Sequence, residues 1–134
     1  QALFAADLIG RLEEIPLEIE PLVARYPDER QRGTLQIDTL PTEDRIHDRD
    51  VLLVDDLVTS GRTLHTVRER IKSMHPRSIR SVVMLQKRNQ QLPDFSCPIE
   101  HVLIHAPDDL YVGYGIDYEG RYRNLNYLAR LEIR

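Results

Sequence analysis

The period of the hydrophobic pattern changes several times along the chain, and each change marks a new element. Leu3, Phe4, Leu8, Ile9 and Leu12 recur at helical spacing from the outset, and Ile15-Pro16 predicts where that helix stops. Residues 17–25 read as a strand, with Pro21 pointing to an edge or a bulge because proline cannot donate to a ladder. Residues 26–33 (YPDERQRG) are polar and charged, which predicts a loop, and residues 34–38 alternate as a short strand does. Residues 51–54 form a continuous apolar run, the pattern of a strand buried on both faces. Leu64, Val67, Ile71 and Met74 then return to a 3.6-residue period ahead of Pro76, predicting an amphipathic helix that ends near residues 73–75. Residues 78–86 and 100–104 read as further strands, and residues 127–133 as an extended close.

Strand, helix and strand in that order imply a right-handed crossover between parallel neighbours. The expected fold class is therefore α/β, with a mainly parallel sheet flanked by helices. No repeat, low-complexity tract or Gly/Ser linker interrupts residues 1–134, so a single domain is expected, and this length can bury a real core. With 41% hydrophobic and 30% charged residues the composition is that of a soluble globular protein. No apolar run approaches the roughly 20 residues that span a bilayer, which argues against a membrane partner. A formal net charge of −4 gives no support to a nucleic-acid footprint, which needs clustered Lys and Arg. Cys97 is the single cysteine, so no intrachain disulfide can form; a reducing, cytoplasmic setting is the expectation. The chain opens at Gln1 inside an apparent helix, and the expectation is an N-terminally incomplete domain preceded by about fifty to seventy residues.

The chemistry concentrates at residues 51–64, VLLVDDLVTSGRTL. A buried strand delivers Asp55 and Asp56, and Thr59, Ser60, Gly61, Arg62 and Thr63 lead from it into the helix. A helix N-terminus offers unpaired N–H groups and a positive dipole end, both suited to phosphate. Ser60 and the two threonines add hydroxyl donors, and Gly61 lets the backbone approach without a Cβ in the way. The paired carboxylates would repel phosphate but are good acceptors for a ribose diol. A sugar 5′-phosphate fits both halves. The Walker A pattern is absent. The bland alternative, an Asp-capped turn before an ordinary helix, does not explain two adjacent acids ahead of a Gly-containing turn.

Residues 51–64 resemble the phosphoribosyl-diphosphate (PRPP) motif of the type I phosphoribosyltransferases: an apolar strand, two acids, two apolar residues, a TSG-type turn and Thr. Residues 111–131 (YVGYGIDYEGRYRNLNYLARL) and 84–88 (MLQKR) resemble the VGYGLDYxxxYRNL and LLxKR segments of its hypoxanthine-guanine branch, and RYPDERQRG sits where that branch carries a Ser-Tyr loop. The resemblance implies a Rossmann-like fold that lacks its N-terminal part here. It also implies a Mg²⁺-assisted exchange in which a 6-oxopurine displaces pyrophosphate at C1′ of PRPP to give the nucleotide in purine salvage. It assigns the ribose hydroxyls to Asp55 and Asp56 and the 5′-phosphate to residues 59–63. Lys87 is assigned to the purine 6-oxo group, with Leu110 and Tyr111 against the base. Asp117 is assigned to Mg²⁺ and Arg123 to the departing pyrophosphate. A homo-oligomer, dimer or tetramer, is the family expectation.

Three positions depart from the family pattern. Thr59 stands where purine enzymes carry a general-base aspartate, and a neutral hydroxyl cannot take the ring proton near pH 7. Leu110 occupies the place of a stacking aromatic, with Tyr111 one residue late, and Arg25-Tyr26 replaces Ser-Tyr. A second reading therefore stays open: a homologue that binds PRPP or nucleotide and serves a regulatory or scaffold role. Outside the motif, Tyr114, Tyr118 and Tyr122 recur every four residues and are expected in core or dimer packing, and Cys97 in packing.

Overall fold

The computed structural model describes residues 2–27, 34–88 and 92–134. Helix α1 (Ala2–Gly10) is followed by two short antiparallel strands, β1 (Val23–Arg25) and β2 (Gln36–Thr39). A one-turn helix α2 (Glu43–Ile46) leads to the centre of the fold: β3 (Asp50–Val58), α3 (Arg62–Lys72), β4 (Ser78–Lys87) and β5 (His101–Ala106). A 3₁₀ turn, Pro93–Phe95, precedes β5, and a small hairpin of β6 (Tyr111–Val112) and β7 (Ala129–Arg130) follows it. Among the described residues, β3, β4 and β5 form a parallel sheet in that order, as strand–crossover–strand units require. The α/β class and the parallel sheet predicted from the pattern are what the fold shows.

Among the described residues, three apolar clusters hold the layers together. Phe4 of α1 is buried with Val82, Met84 and Leu85 of β4 and with Ala106 and Ile116, and Val54 and Leu57 of β3 pack against them. Val67 and Ile71 of α3 meet Ile46, with Val51 and Leu53 of β3, Ala24 and Ile37 of the small sheet, and Leu22 just ahead of it packed against them. The helix pattern read from Leu64, Val67 and Ile71 is thus the face that is buried. Tyr114 packs against the first cluster and its hydroxyl donates to the Asp7 carboxylate of α1, whereas Tyr122 is exposed. Cys97 packs against Val58, Leu64 and Val83. Arg68 of α3 locks the sheet from within, donating to Ser81 Oγ at 2.8 Å, the Ile79 carbonyl at 3.0 Å and Glu100 Oε1 at 2.8 Å.

Several boundaries differ from the pattern. The strand expected over residues 17–25 shrinks to Val23–Arg25, because Pro16 and Pro21 deny the ladder its donors and leave Leu17 and Ile19 exposed. The strand expected at residues 34–38 lies at Gln36–Thr39, and that expected at 100–104 runs to Ala106. The extended close at 127–133 is a ladder only at Ala129–Arg130. Residues 51–54 are not buried on both faces: Val51 and Leu53 pack on the α3 side and Val54 on the side of Phe4, while Leu52, in none of the apolar clusters, is 46% exposed. Helix α1 gives way after Gly10 to turns, ahead of Pro16. The loop expected over residues 26–33 is irregular at Tyr26 and Pro27; residues 28–33 lie outside the described residues.

Candidate functional site

The end of β3, the turn after it and the start of α3 enclose a pocket of ≈ 50 Å³ lined by Asp55, Leu57, Val58, Thr59, Ser60, Gly61, Thr63 and Leu64. It forms because β3 ends at Val58 and α3 begins four residues later, with Gly61 bridging them at φ 81° in the left-handed region that glycine adopts without strain. As the N-cap, Gly61 has no side chain to offer the first-turn N–H groups. The Ser60 hydroxyl accepts from the Arg62 N–H at 3.3 Å, and the His65 N–H donates to the Gly61 carbonyl at 2.9 Å. An anion in the pocket would meet hydroxyls, amide dipoles and the positive end of α3.

The two carboxylates differ. Asp55 lines the pocket, and its Oδ1 accepts from the Asp56 N–H at 2.9 Å. Burial, with the adjacent Asp56 charge second, pushes the Asp55 carboxyl up to about 7. Asp56 is 3% exposed and is not part of the pocket wall. Near neutral pH Asp55 therefore exchanges its proton easily, and hydrogen bonds from sugar hydroxyls would favour the charged form.

The remaining residues singled out from the sequence fall into two further groups. Lys87 closes β4, its side chain only 13% exposed, with Nζ 3.6 Å from Asp108 Oδ1 and 6.0 Å from the centre of the Tyr111 ring. Leu110, just before β6, and Tyr111, which opens it, are both half-buried, and the Tyr111 hydroxyl donates to the Pro107 carbonyl at 3.3 Å. Asp117 and Arg123 meet directly at 2.7 Å; Asp117 Oδ2 also accepts from the Gly120 N–H at 2.8 Å, and Arg123 donates to the Gly115 carbonyl at 3.0 Å. Among the described residues no group of three or more His, Cys, Asp or Glu side chains is placed to hold a metal ion. A single accessible carboxylate such as Asp117 suits a hard cation only if a ligand's oxygens supply most of its shell.

Sequence reasoning missed three neighbours of these residues, Asp108, Leu92 and Phe95, and gave Tyr26 only its place in the loop. Asp108 pairs with Lys87 from beyond β5, and Tyr26 OH lies 3.4 Å from Thr63 Oγ1. Leu92 and Phe95 close against the turn: the Leu92 N–H donates to the Ser60 carbonyl at 3.0 Å, and the Arg62 guanidinium lies 5.2 Å from the Phe95 ring centre. Pro93 at the head of the 3₁₀ turn was the available signal, since proline favours a first helical position.

Comparison with known proteins agrees with this geometry. A family model described as the phosphoribosyl transferase domain matches residues 2–114. The hypoxanthine phosphoribosyltransferase of Salmonella typhimurium is 35% identical over 98% of this chain and 72% of its own length. The hypoxanthine-guanine phosphoribosyltransferase of Mycobacterium bovis is 36% identical over 98% of this chain, which spans 64% of that relative. In three dimensions the chain is similar to a hypoxanthine-guanine phosphoribosyltransferase of Bacillus anthracis, with TM-score 0.85, 28% identity, and 97% of this chain and 75% of that one covered. It is similar also to the hypoxanthine phosphoribosyltransferase of Trypanosoma cruzi, with TM-score 0.86, 27% identity, and 97% and 70% covered. The family model over residues 2–114 and relatives 35% and 36% identical along nearly the whole chain place this protein in the phosphoribosyltransferase family, beside the hypoxanthine-guanine enzymes.

Proposed function

We propose that the protein transfers the phosphoribosyl group of PRPP to a 6-oxopurine, hypoxanthine or guanine, releasing pyrophosphate and forming the nucleotide used in purine salvage. The observation that carries this reading is the pocket after β3, where hydroxyls, a left-handed glycine and a helix N-terminus adjoin the Asp55 carboxyl. The 5′-phosphate sits on residues 59–63, and Asp55 accepts from the ribose hydroxyls, with Asp56 behind it. The bond from C1′ to the diphosphate oxygen breaks as the bond from the purine ring nitrogen to C1′ forms. The carboxylates of Asp55 and, behind it, Asp56 stabilise the positive charge that develops at C1′.

Lys87 donates to the 6-oxo group and stabilises negative charge on it, while Leu110 and Tyr111 pack the base. Arg123 grips the departing diphosphate through its forked guanidinium. Mg²⁺ would be held by Asp117 and would neutralise the leaving group's charge, in keeping with a hard oxygen donor in a site that needs the ligand's own oxygens. Thr59 cannot accept the ring proton near pH 7, so that proton passes to the diphosphate or to water. Residues 1–134 would serve as one phosphoribosyltransferase domain of a cytoplasmic homo-oligomer. No helix among the described residues is long and apolar enough to cross a membrane.

The test is a spectrophotometric transfer assay with PRPP, Mg²⁺ and hypoxanthine, guanine or xanthine. Turnover of a 6-oxopurine is expected. PRPP binding with no turnover of any base would refute the enzyme reading in favour of a binding homologue.

A further inference from the structure

The segment that follows β4 is built against the phosphate turn rather than merely passing it. The Leu92 N–H reaches the Ser60 carbonyl at 3.0 Å. A Cβ on Gly61 would stand 3.1 Å from the Phe95 carbonyl oxygen, so backbone lies close against backbone at the residue that sets the turn. The Phe95 ring faces the first turn of α3: the Arg62 guanidinium lies 5.2 Å from its centre, and the His65 ring meets it edge-on at 5.8 Å and 76°. The same guanidinium lies 5.6 Å from the centre of the Tyr26 ring. Phe95 itself is not part of the pocket wall.

Anion recognition by backbone N–H groups depends on their mutual placement, which short loops seldom fix alone. We propose that Phe95 is a positioning residue for 5′-phosphate binding: with Leu92 it holds Ser60, Gly61 and Arg62 in the phosphate-accepting geometry without touching the ligand. This rests on the phosphate-binding reading of the turn. Leu92 fixes the strand side of the turn through its hydrogen bond, and Phe95 fixes the helix side through Arg62 and His65. Removing the ring frees the helix side, and the N–H groups lose their common aim.

Calorimetric titration of the protein with GMP tests this in four forms: the parent, Phe95→Ala, Phe95→Leu and Ile71→Val. Ile71 is buried in the cluster of Ile46 and Val67, so its shortening lowers stability without reaching the turn. Phe95→Ala is expected to weaken GMP binding about ten-fold and Phe95→Leu about three-fold, while Ile71→Val stays within about two-fold of the parent. Should Phe95→Ala fail to fold, Phe95→Leu carries the comparison, since it keeps apolar bulk and loses only the aromatic face. Equal GMP affinity in the parent and the Phe95 variants would overturn the inference, and so would an equal loss in Ile71→Val. A parent that takes up no GMP would overturn the phosphate reading beneath it.

Discussion

Replacing Asp55 by Asn separates the charge of the pocket carboxyl from its shape. The side chain stays nearly isosteric and can still accept from the Asp56 N–H, which Asp55 does at 2.9 Å. Burial and the neighbouring Asp56 raise the Asp55 carboxyl from the ordinary 3.8 to about 7. The folded protein therefore holds this proton more tightly than the unfolded chain. Its contribution is most favourable below about pH 4 and is lost as pH rises toward about 7. At about 1.4 kcal/mol for each pH unit, the full difference is about 4 kcal/mol. Asn carries no such penalty at any pH. Urea unfolding of both proteins at about pH 5 and about pH 8 should show the Asn variant gaining about 3 kcal/mol on the parent across that interval. Carboxylates remote from the pocket titrate in both proteins and cancel in the difference, so what remains belongs to Asp55 together with its neighbour Asp56. A difference between parent and variant that stays constant from pH 5 to pH 8 would refute a raised titration at Asp55.

Arg68→Met removes the hydrogen bonds to Ser81, Ile79 and Glu100 and leaves the Glu100 carboxylate without its cation; a loss of about 3 kcal/mol in urea unfolding is expected. Adding Glu100→Gln should recover part of that loss, and a single-variant cost below about 1 kcal/mol would count against the network. Gly61→Ala forces a Cβ into the left-handed region at φ 81° and to 3.1 Å from the Phe95 carbonyl oxygen. It should cost about 1–2 kcal/mol in thermal unfolding and weaken nucleotide binding, and an unchanged melting curve would contradict this. Thr59→Asp supplies a base beside the pocket and should raise kcat on a 6-oxopurine at least about ten-fold near neutral pH; an unchanged or lower kcat would show that no base is needed there.

The centre of the fold was legible because its signals are local. A four-residue apolar run, a polar turn with glycine and a clean 3.6-residue period define β3, the turn after it and α3 within about two dozen residues. The flanks depend on distant partners. Residues 17–22 carry apolar side chains at strand spacing, yet two prolines and the lack of a described neighbour keep them out of a ladder. The β6–β7 hairpin rests on Gly113, where a Cβ would stand 2.1 Å from the Tyr127 carbonyl oxygen, a close approach that no pattern of apolar residues announces. Within the site, the sequence names Asp55 and Asp56 together, but only the path of the chain at the end of β3 shows that Asp55 faces the pocket and Asp56 is enclosed. Likewise, Lys87 is visible as a cation at a strand end, whereas its partner Asp108 is supplied by the chain beyond the neighbouring strand.

The most direct test of the central claim is to watch the backbone amides of the turn while a phosphate is offered to them. In ¹⁵N-labelled protein with Mg²⁺ present, GMP should shift the amide resonances of Ser60, Gly61, Arg62 and Thr63 strongly, whereas guanosine at equal concentration should leave them nearly unmoved. Amide shifts of equal size with both ligands, or none at these four residues with GMP, would contradict a phosphate cradle between β3 and α3.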